Sequence, residues 1–475
     1  MALELKNLSR DAENPLEAIQ SENRAPQELA VVDGSTPRAR QVSSVKDLAV
    51  DDADGPIGLN SSDVVSELPR LSFVNNVVQP TRSQLIKKRI HFAAFCWGHF
   101  MLGWNDGSAG PLLPRIQEVY QISFVVASLI FVCTCIGFLI GAMSNVYLSE
   151  KMKFGKILVL GGLAPLVAYV IQAPALPFPV FILSFALSGG GVALQHAQAN
   201  GYVATLDHDP STRLSIFHAA YGLGAFTAPL VATQFAQMRR WSFHYLVSLG
   251  VGGINLVLMV LVFKLRSKDE CRKEIGLEPT EKGTSDRSAF RQIFALKSVH
   301  TMAAFTFMYV GTEWLDRNIH NPTSWRRSGL WIYISSGFFG GLMLGRILLL
   351  PLNKLLGLRR VVMLYGVLSI GLEFIIWFTP SLIGNGIAVS ITGMLLGPVY
   401  PLAISLAGSV IPKWLLTGSI GWIAGFGQAG GAALPFVTGA IADGVGIGSL
   451  QPLLVAMMCV MIGLWVLIPK SRRAD

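Results

Sequence analysis

Two carboxylates, Asp106 and Glu313, stand inside apolar runs long enough to cross a bilayer. Asp106 lies in GWNDGSAGPLLPRIQ (103–117), preceded by Asn105 and flanked by Gly103, Gly107, Gly110 and Pro111. Glu313 closes YVGTE (309–313), one helical turn after Tyr309. An ionised acid facing lipid costs roughly 2.5 kcal/mol or more, so such residues face a polar cavity and there exchange protons. For Asp106 the competing position is the outer rim, as a hydrogen-bonded helix-end residue. Two further clusters carry titratable and amide groups: LQHAQANG (194–201), with Gln195, His196, Gln198 and Asn200, and FHAAYG (217–222), with His218 and Tyr221. His196 and Asn200, four apart, share one helical face. Histidine titrates near neutrality, so His196 could carry a proton. The same residue types serve as hydrogen-bonding glue between helices, a role of equal standing for Gln195, Gln198 and His218. Trp422, Gln428 and Tyr400 fit the wall of a site for a sugar-like ring, with aromatic faces to stack on it and an amide for its hydroxyls. Packing is the competing role for the two aromatics.

The elements that must hold these residues are transmembrane helices. The chain has 475 residues, 52% hydrophobic and 14% charged, where a soluble protein carries about a quarter charged. Its apolar residues fall into runs of about 20, the length that crosses a hydrocarbon core as a helix. Twelve spans are predicted, near 90–113, 124–147, 157–175, 179–205, 212–236, 243–264, 299–315, 330–350, 360–379, 383–410, 415–441 and 449–469. The polar stretch 265–298 divides them six and six. Residues 1–84, rich in Ser, Asp, Glu, Asn and Pro, read as a disordered tail that cannot bury enough apolar surface to offset ordering. The expected organisation is therefore a tail (1–84), a first bundle (85–264), a central loop (265–298) and a second bundle (299–475).

Charge placement orients the chain. With both termini and the central loop on the cytoplasmic side, that side holds 24 of the 38 Lys and Arg residues, eight more lying in the distal tail. The opposite side holds only Arg115, Arg239, Arg240, Arg317, Arg326 and Arg327, in keeping with the positive-inside rule. The net charge of +9 is thus a topology signal, and nucleic acid is not an expected partner. Five cysteines, four of them in apolar runs, give neither a disulfide framework nor a metal spacing. The sequence has no G-x4-G-K-[ST], no HExxH and no GxSxG, which argues against ATP drive and against an embedded hydrolase. Neither a metal nor a cofactor is expected.

The two bundles repeat one another at an offset slightly above 200 residues. Gly137 and Gly141 with LSEKMKFGK (148–156) match Gly341 and Gly345 with LNKLLGLRR (352–360). Repeated six-helix halves point to a transporter with a midplane site. These short basic loops resemble the loop signature of the major facilitator superfamily. The resemblance implies a conformational gate made by Arg346, Asn353, Arg359 and Arg360; the first copy is degenerate, with Glu150 and Lys151 in place of an acid–arginine pair. GWNDGSAGPLLPRIQ, LQHAQANG, FHAAYGLGAFTAPLVAT (217–233), YVGTE and WLLTGSIGWIAGFGQAGGAALPF (414–436) are similar to the fucose-permease-like branch, over about residues 90–470. In that branch acids of the first and fourth helices serve proton coupling and substrate recognition. Asp106 falls on the first; the fourth-helix acid is replaced here by His196. The branch continues its seventh helix with an apolar segment, whereas this chain reads WLDRNIHNPTSWRRSGLW (314–331), so a shortened helix or an outer loop is expected there.

The reading is an all-α membrane protein of twelve transmembrane helices in two pseudo-symmetric six-helix halves. It would move a small polar, sugar-like solute by alternating access, as a monomer in the plasma membrane, with protons, the solute and the lipid bilayer as its partners. Proton coupling falls to Asp106, Glu313 and His196. Substrate contact falls to Asn105, Gln195, Asn200, His218, Tyr221, Trp422 and Gln428. The alternatives are proton-antiport efflux of a fungal metabolite and a transporter-like sensor that moves nothing.

Overall fold

The computed structural model describes residues 81–206, 209–279, 288–319, 330–379, 381–445 and 450–469. The tail before 81 lies outside the described residues, as do 320–329 of the divergent segment. All regular elements described are helices. Each apolar run forms one because its backbone polar groups, in a hydrocarbon solvent, can be satisfied only along its own axis. The first six long helices are α1 (Arg82–Tyr120), α2 (Phe124–Lys151), α3 (Phe154–Gln172), α4 (Phe178–Val203), α5 (Pro210–Ala236) and α6 (His244–Phe263). Two short helices, α7 (Lys268–Glu274) and α8 (Ala289–Ala295), structure the central loop. The second set comprises α9 (Lys297–Ile319), α10 (Leu330–Leu348), the short α11 (Leu350–Leu356), α12 (Leu358–Phe378), the broken pair α13 (Leu382–Leu396) and α14 (Val399–Val410), α15 (Lys413–Val445) and α16 (Leu450–Leu467).

Eight of these segments are long and apolar enough to cross a membrane, α13–α14 counting as one, and two bent pairs raise the number to ten among the described residues. With the 39-residue α1 and the 33-residue α15, twelve long elements stand where twelve spans are predicted. The tenth span runs Ile383–Val410, with a turn at Gly397 and Pro398 that divides α13 from α14. The apolar part of the seventh ends at Leu315, and α9 continues as a helix to Ile319. Caps set the other ends. Thr81 forms a capping box with Gln84, Ser267 another with Glu270, and Asp209 caps α5 by accepting from Thr212 N, in each case satisfying amides that a helix start leaves free.

The contacts repeat with the sequence. In the first set α1 packs on α5, α2 on α4 and α3 on α6; in the second α9 packs on α15, α10 on α13 and α12 on α16. The glycine pairs explain how close these are. A Cβ on Gly137 would lie 1.9 Å from Ala186 O, and one on Gly341 2.0 Å from Ser390 O. Both members of the second contact lie about 200 residues beyond the first, so the repeat is one of main-chain packing. The two sets meet through α2 and α4 against α15, and through α5 against α10 and α14.

Candidate functional site

Where the two sets meet, α1, α4 and α5 face α9, α10, α14 and α15 around a cavity enclosing about 60 Å³. Asp106 lines it from α1 and Glu313 from α9. Close packing of α1 on α5 aims Asp106: a Cβ at Gly103 would fall 1.9 Å from Tyr221 O, and one at Gly107 2.8 Å from Ala225 O. Only glycines let the two backbones approach so far, and the approach brings Tyr221 OH to donate to Asp106 Oδ2 at 3.1 Å.

Beside them is a histidine cluster. His196 of α4 stacks on His99 of α1 with ring centres 5.3 Å apart and planes 14° apart. His218 of α5 bonds His99 Nε2 through its Nδ1 at 3.2 Å and Asn200 Oδ1 through its Nε2 at 3.0 Å. Asn200 Nδ2 donates to His196 O, so its oxygen is the end that accepts. His218 Nε2 then carries the proton, and neutral His218 accepts from His99 Nε2. Asn200 is fully buried and behind the cavity wall; it orients His218 and does not itself face a solute.

Arg346 is placed differently from the loop expectation. It is buried in α10 and lines the same cavity as Asp106 and Glu313, not the loop that follows. Nε donates to Gly397 O at 2.9 Å, Nη1 to His218 O at 2.6 Å, and Cζ lies 5.5 Å from the centre of the Tyr221 ring. Of the other loop-signature residues, Asn353 accepts from Tyr365 OH at 2.7 Å, and Arg359 donates to Ile468 O at 2.6 Å and to Pro469 O. Both tie the second set to itself. Arg360 is exposed. An ion pair joins the two sets at this end, Lys354 to Asp209, at 2.9 Å.

The six other predicted substrate residues divide three and three. His218, Tyr221 and Gln428 line the cavity, as does His196. Asn105 turns toward α3 and accepts from Tyr169 OH at 3.3 Å. Gln195 donates to Leu158 O and accepts from Asn255 Nδ2 at 2.9 Å, inside the first set. Trp422 packs edge-on against Phe294 of α8, ring centres 4.6 Å apart. Helical phase, rather than residue type, removes these three from the cavity wall. In their place stand His99 and Tyr309, beside Tyr400, which the sequence already offers for the wall. His99 was legible in principle, since His99, Leu102 and Asp106 follow the i, i+3, i+7 stripe of one helical face. Arg346 was legible as an intramembrane charge.

Residues 95–316 match the model of the Major Facilitator Superfamily. The solved Escherichia coli fucose:proton symporter FucP superposes with a TM-score of 0.63 at 16% identity, covering 82% of this chain and 100% of that one. Over residues 95–316 the chain is similar to the major facilitator superfamily. It is a multi-pass membrane protein, and the family that it resembles is one of transporters, not of enzymes. Bypass of stop codon protein 6 from Saccharomyces cerevisiae is 25% identical over 402 residues, 78% of this chain and 80% of that protein. The glucose/mannose transporter GlcP of Bacillus subtilis is 23% identical over 389 residues, 79% of this chain and 94% of its own.

Proposed function

We propose that this transporter moves a sugar-like solute together with protons by alternating access, with Asp106 as the proton carrier. The carrying observation is the position of Asp106: in a cavity between the two helix sets, hydrogen-bonded to Tyr221 and facing Glu313 and Arg346. Aromatic faces and polar groups from both sets surround the same space. Tyr400, Trp314 and Gln428 supply stacking surface and an amide, the chemistry that holds a polyol ring. Relatives named for glucose and mannose transport, and a fold shared with a fucose:proton symporter, support the solute class.

The cavity as it stands has room for roughly four or five waters, while pockets for organic ligands run from about 300 Å³ upward. Solute entry therefore requires the two sets to separate at one end, which is what rocking about a midplane site does. A proton moving through ~100 mV supplies ~2.3 kcal/mol for accumulation. The basic end of the bundle, with both termini, faces the cytoplasm, and the plasma membrane is the proposed location. The division into a tail (1–84), two bundles (85–264 and 299–475) and a central loop (265–298), and a monomeric state, complete the proposal.

The test uses the purified full chain in sealed vesicles, with labelled D-glucose, D-galactose and L-fucose as probes. Wild type should accumulate at least one of them when an inward proton gradient is imposed. Asp106→Asn should equilibrate that sugar without accumulating it. Accumulation by Asp106→Asn equal to wild type would refute the carrier assignment, and no flux of any sugar by wild type would refute the solute class.

A further inference from the structure

His99 and His196 wall the central cavity, and the same two side chains wall a second, smaller one inside the first helix set. It lies among α1, α3, α4 and α6 and encloses about 10 Å³. Gly98, Leu158, Gln195 and Met259 also line it. The direction of the hydrogen bonds in the histidine cluster decides what this space receives. Asn200 Nδ2 donates to His196 O, which leaves Asn200 Oδ1 facing His218 Nε2 at 3.0 Å. That oxygen can only accept, so His218 holds its proton on Nε2, and Nδ1 of the neutral ring is an acceptor. His99 Nε2, 3.2 Å from it, must donate. By the same rule His99 Nδ1 is left as an acceptor, buried in the helix set, and no donor from the described residues reaches it. Two other atoms close by are in a similar position. Asn255 gives its Nδ2 to Gln195 Oε1, while Asn255 Oδ1 and His196 Nδ1 are buried without a partner among the described residues. Buried polar groups are as a rule satisfied by protein or by ordered water.

We propose that the smaller cavity is a binding site for a single water molecule, which donates to His99 Nδ1 and closes a chain of fixed polarity running from water through His99 and His218 to Asn200. A water needs about 10–15 Å³ of such space and two to four polar partners. The volume suits one water and nothing larger. Its two hydrogens go to His99 Nδ1 and Asn255 Oδ1, and its oxygen accepts from His196 Nδ1. The site gives the histidine pair a role apart from proton carriage. With the water in place both rings are neutral and both N–H bonds lie along the chain. His99 and His218 therefore present ring edges and faces to a solute in the central cavity, and donate no hydrogen bond to it.

The test needs no transport. The full chain, labelled with ¹⁵N-histidine and held in lipid, is studied by solid-state NMR, with signals assigned by their loss in His99→Gln and His218→Gln. One-bond couplings should place the proton on Nε2 of both residues, and His99 Nδ1 should show a cross-peak to water that exchanges slowly with bulk. Gly98→Ala occupies the same space: its Cβ would stand 3.1 Å from Asn255 Oδ1, 3.5 Å from Met259 Cε and 3.9 Å from Gln195 Oε1. In that variant the cross-peak should vanish and the His99 Nδ1 resonance should move to that of an acceptor without a donor. A wild-type proton on His99 Nδ1, or no water cross-peak there, overturns the inference, and so does a cross-peak that survives in folded Gly98→Ala. Should the variants fail to fold, a wild-type density map that resolves ordered water decides: a peak within hydrogen-bonding distance of His99 Nδ1 supports the site, and a map without one overturns it.

Discussion

Replacing Gly103 by alanine adds one methyl group where α1 and α5 leave no space for it. Its Cβ would stand 1.9 Å from Tyr221 O, 2.8 Å from Tyr221 C and 2.9 Å from Ala225 N, all main-chain atoms that no rotamer change can move. Reaching ordinary contact near 3.5 Å requires the helices to separate by about 1.5 Å. Tyr221 OH is 3.1 Å from Asp106 Oδ2, and a donor moved beyond about 3.6 Å is no longer hydrogen-bonded. Overpacking of this kind costs about 1–3 kcal/mol, offset by about 0.5–1 kcal/mol because alanine is the better helix former. A hydrogen bond to a charged group contributes about 1.5–3 kcal/mol. Because 1.4 kcal/mol is about tenfold, gradient-driven sugar uptake should fall tenfold or more, while the melting temperature in detergent falls only modestly. Gly110→Ala is the control on the same helix: no atom lies within 4 Å of its Cβ, so uptake and melting should match wild type or improve. Uptake by Gly103→Ala within twofold of wild type would refute the argument that α1–α5 contact aims Asp106.

Two other outcomes follow from the placement of side chains. Trp422→Phe should lower the melting temperature without changing the KM for sugar, because the indole packs on Phe294, whereas Gln428→Ala should raise KM; a raised KM in Trp422→Phe would put the indole back at the site. Lys354→Ala removes the bridge to Asp209, and with side chains 58% and 46% exposed the stability change should stay within about 1 kcal/mol. Burial works against the Asp209 charge, but hydrogen bonds from Thr212, Ser211 and Lys354 outweigh it and hold the carboxyl well below the usual range. A carboxyl depressed in the fold gives its full contribution above the unfolded value near ~3.9 and loses it only as pH falls through the lower folded one. The melting difference between wild type and Lys354→Ala should therefore be the same at pH 5 and pH 8 and vanish in strong acid. A difference that changes between pH 5 and 8 would contradict this.

The fourth helix shows what could be read in advance and what could not. Its sequence LQHAQANG marks Gln195, His196, Gln198 and Asn200 as buried polar residues, and all four are buried. They nevertheless point four ways. Gln195 bonds α3 and α6, Gln198 bonds Asn145 and Ser149 of α2, Asn200 holds His218 of α5, and His196 alone lines the cavity. A helix hydrophobic over most of its surface gives a polar residue no single inward direction, so residue type cannot choose among its neighbours.

By itself the sequence determined the number of spans, the duplicated halves and the presence of acids within them, because span length and the energy of a charge in lipid are local properties of the chain. Which polar side chains share a space was decided only by tertiary structure. Arg346, read along the chain, lies a few residues before a basic loop; in the fold it meets Tyr221, His218 and Gly397 at the boundary of the two sets. That meeting depends on the rotation of each helix and on where glycines admit a neighbour's backbone, quantities set by the packing partner and not by either helix alone.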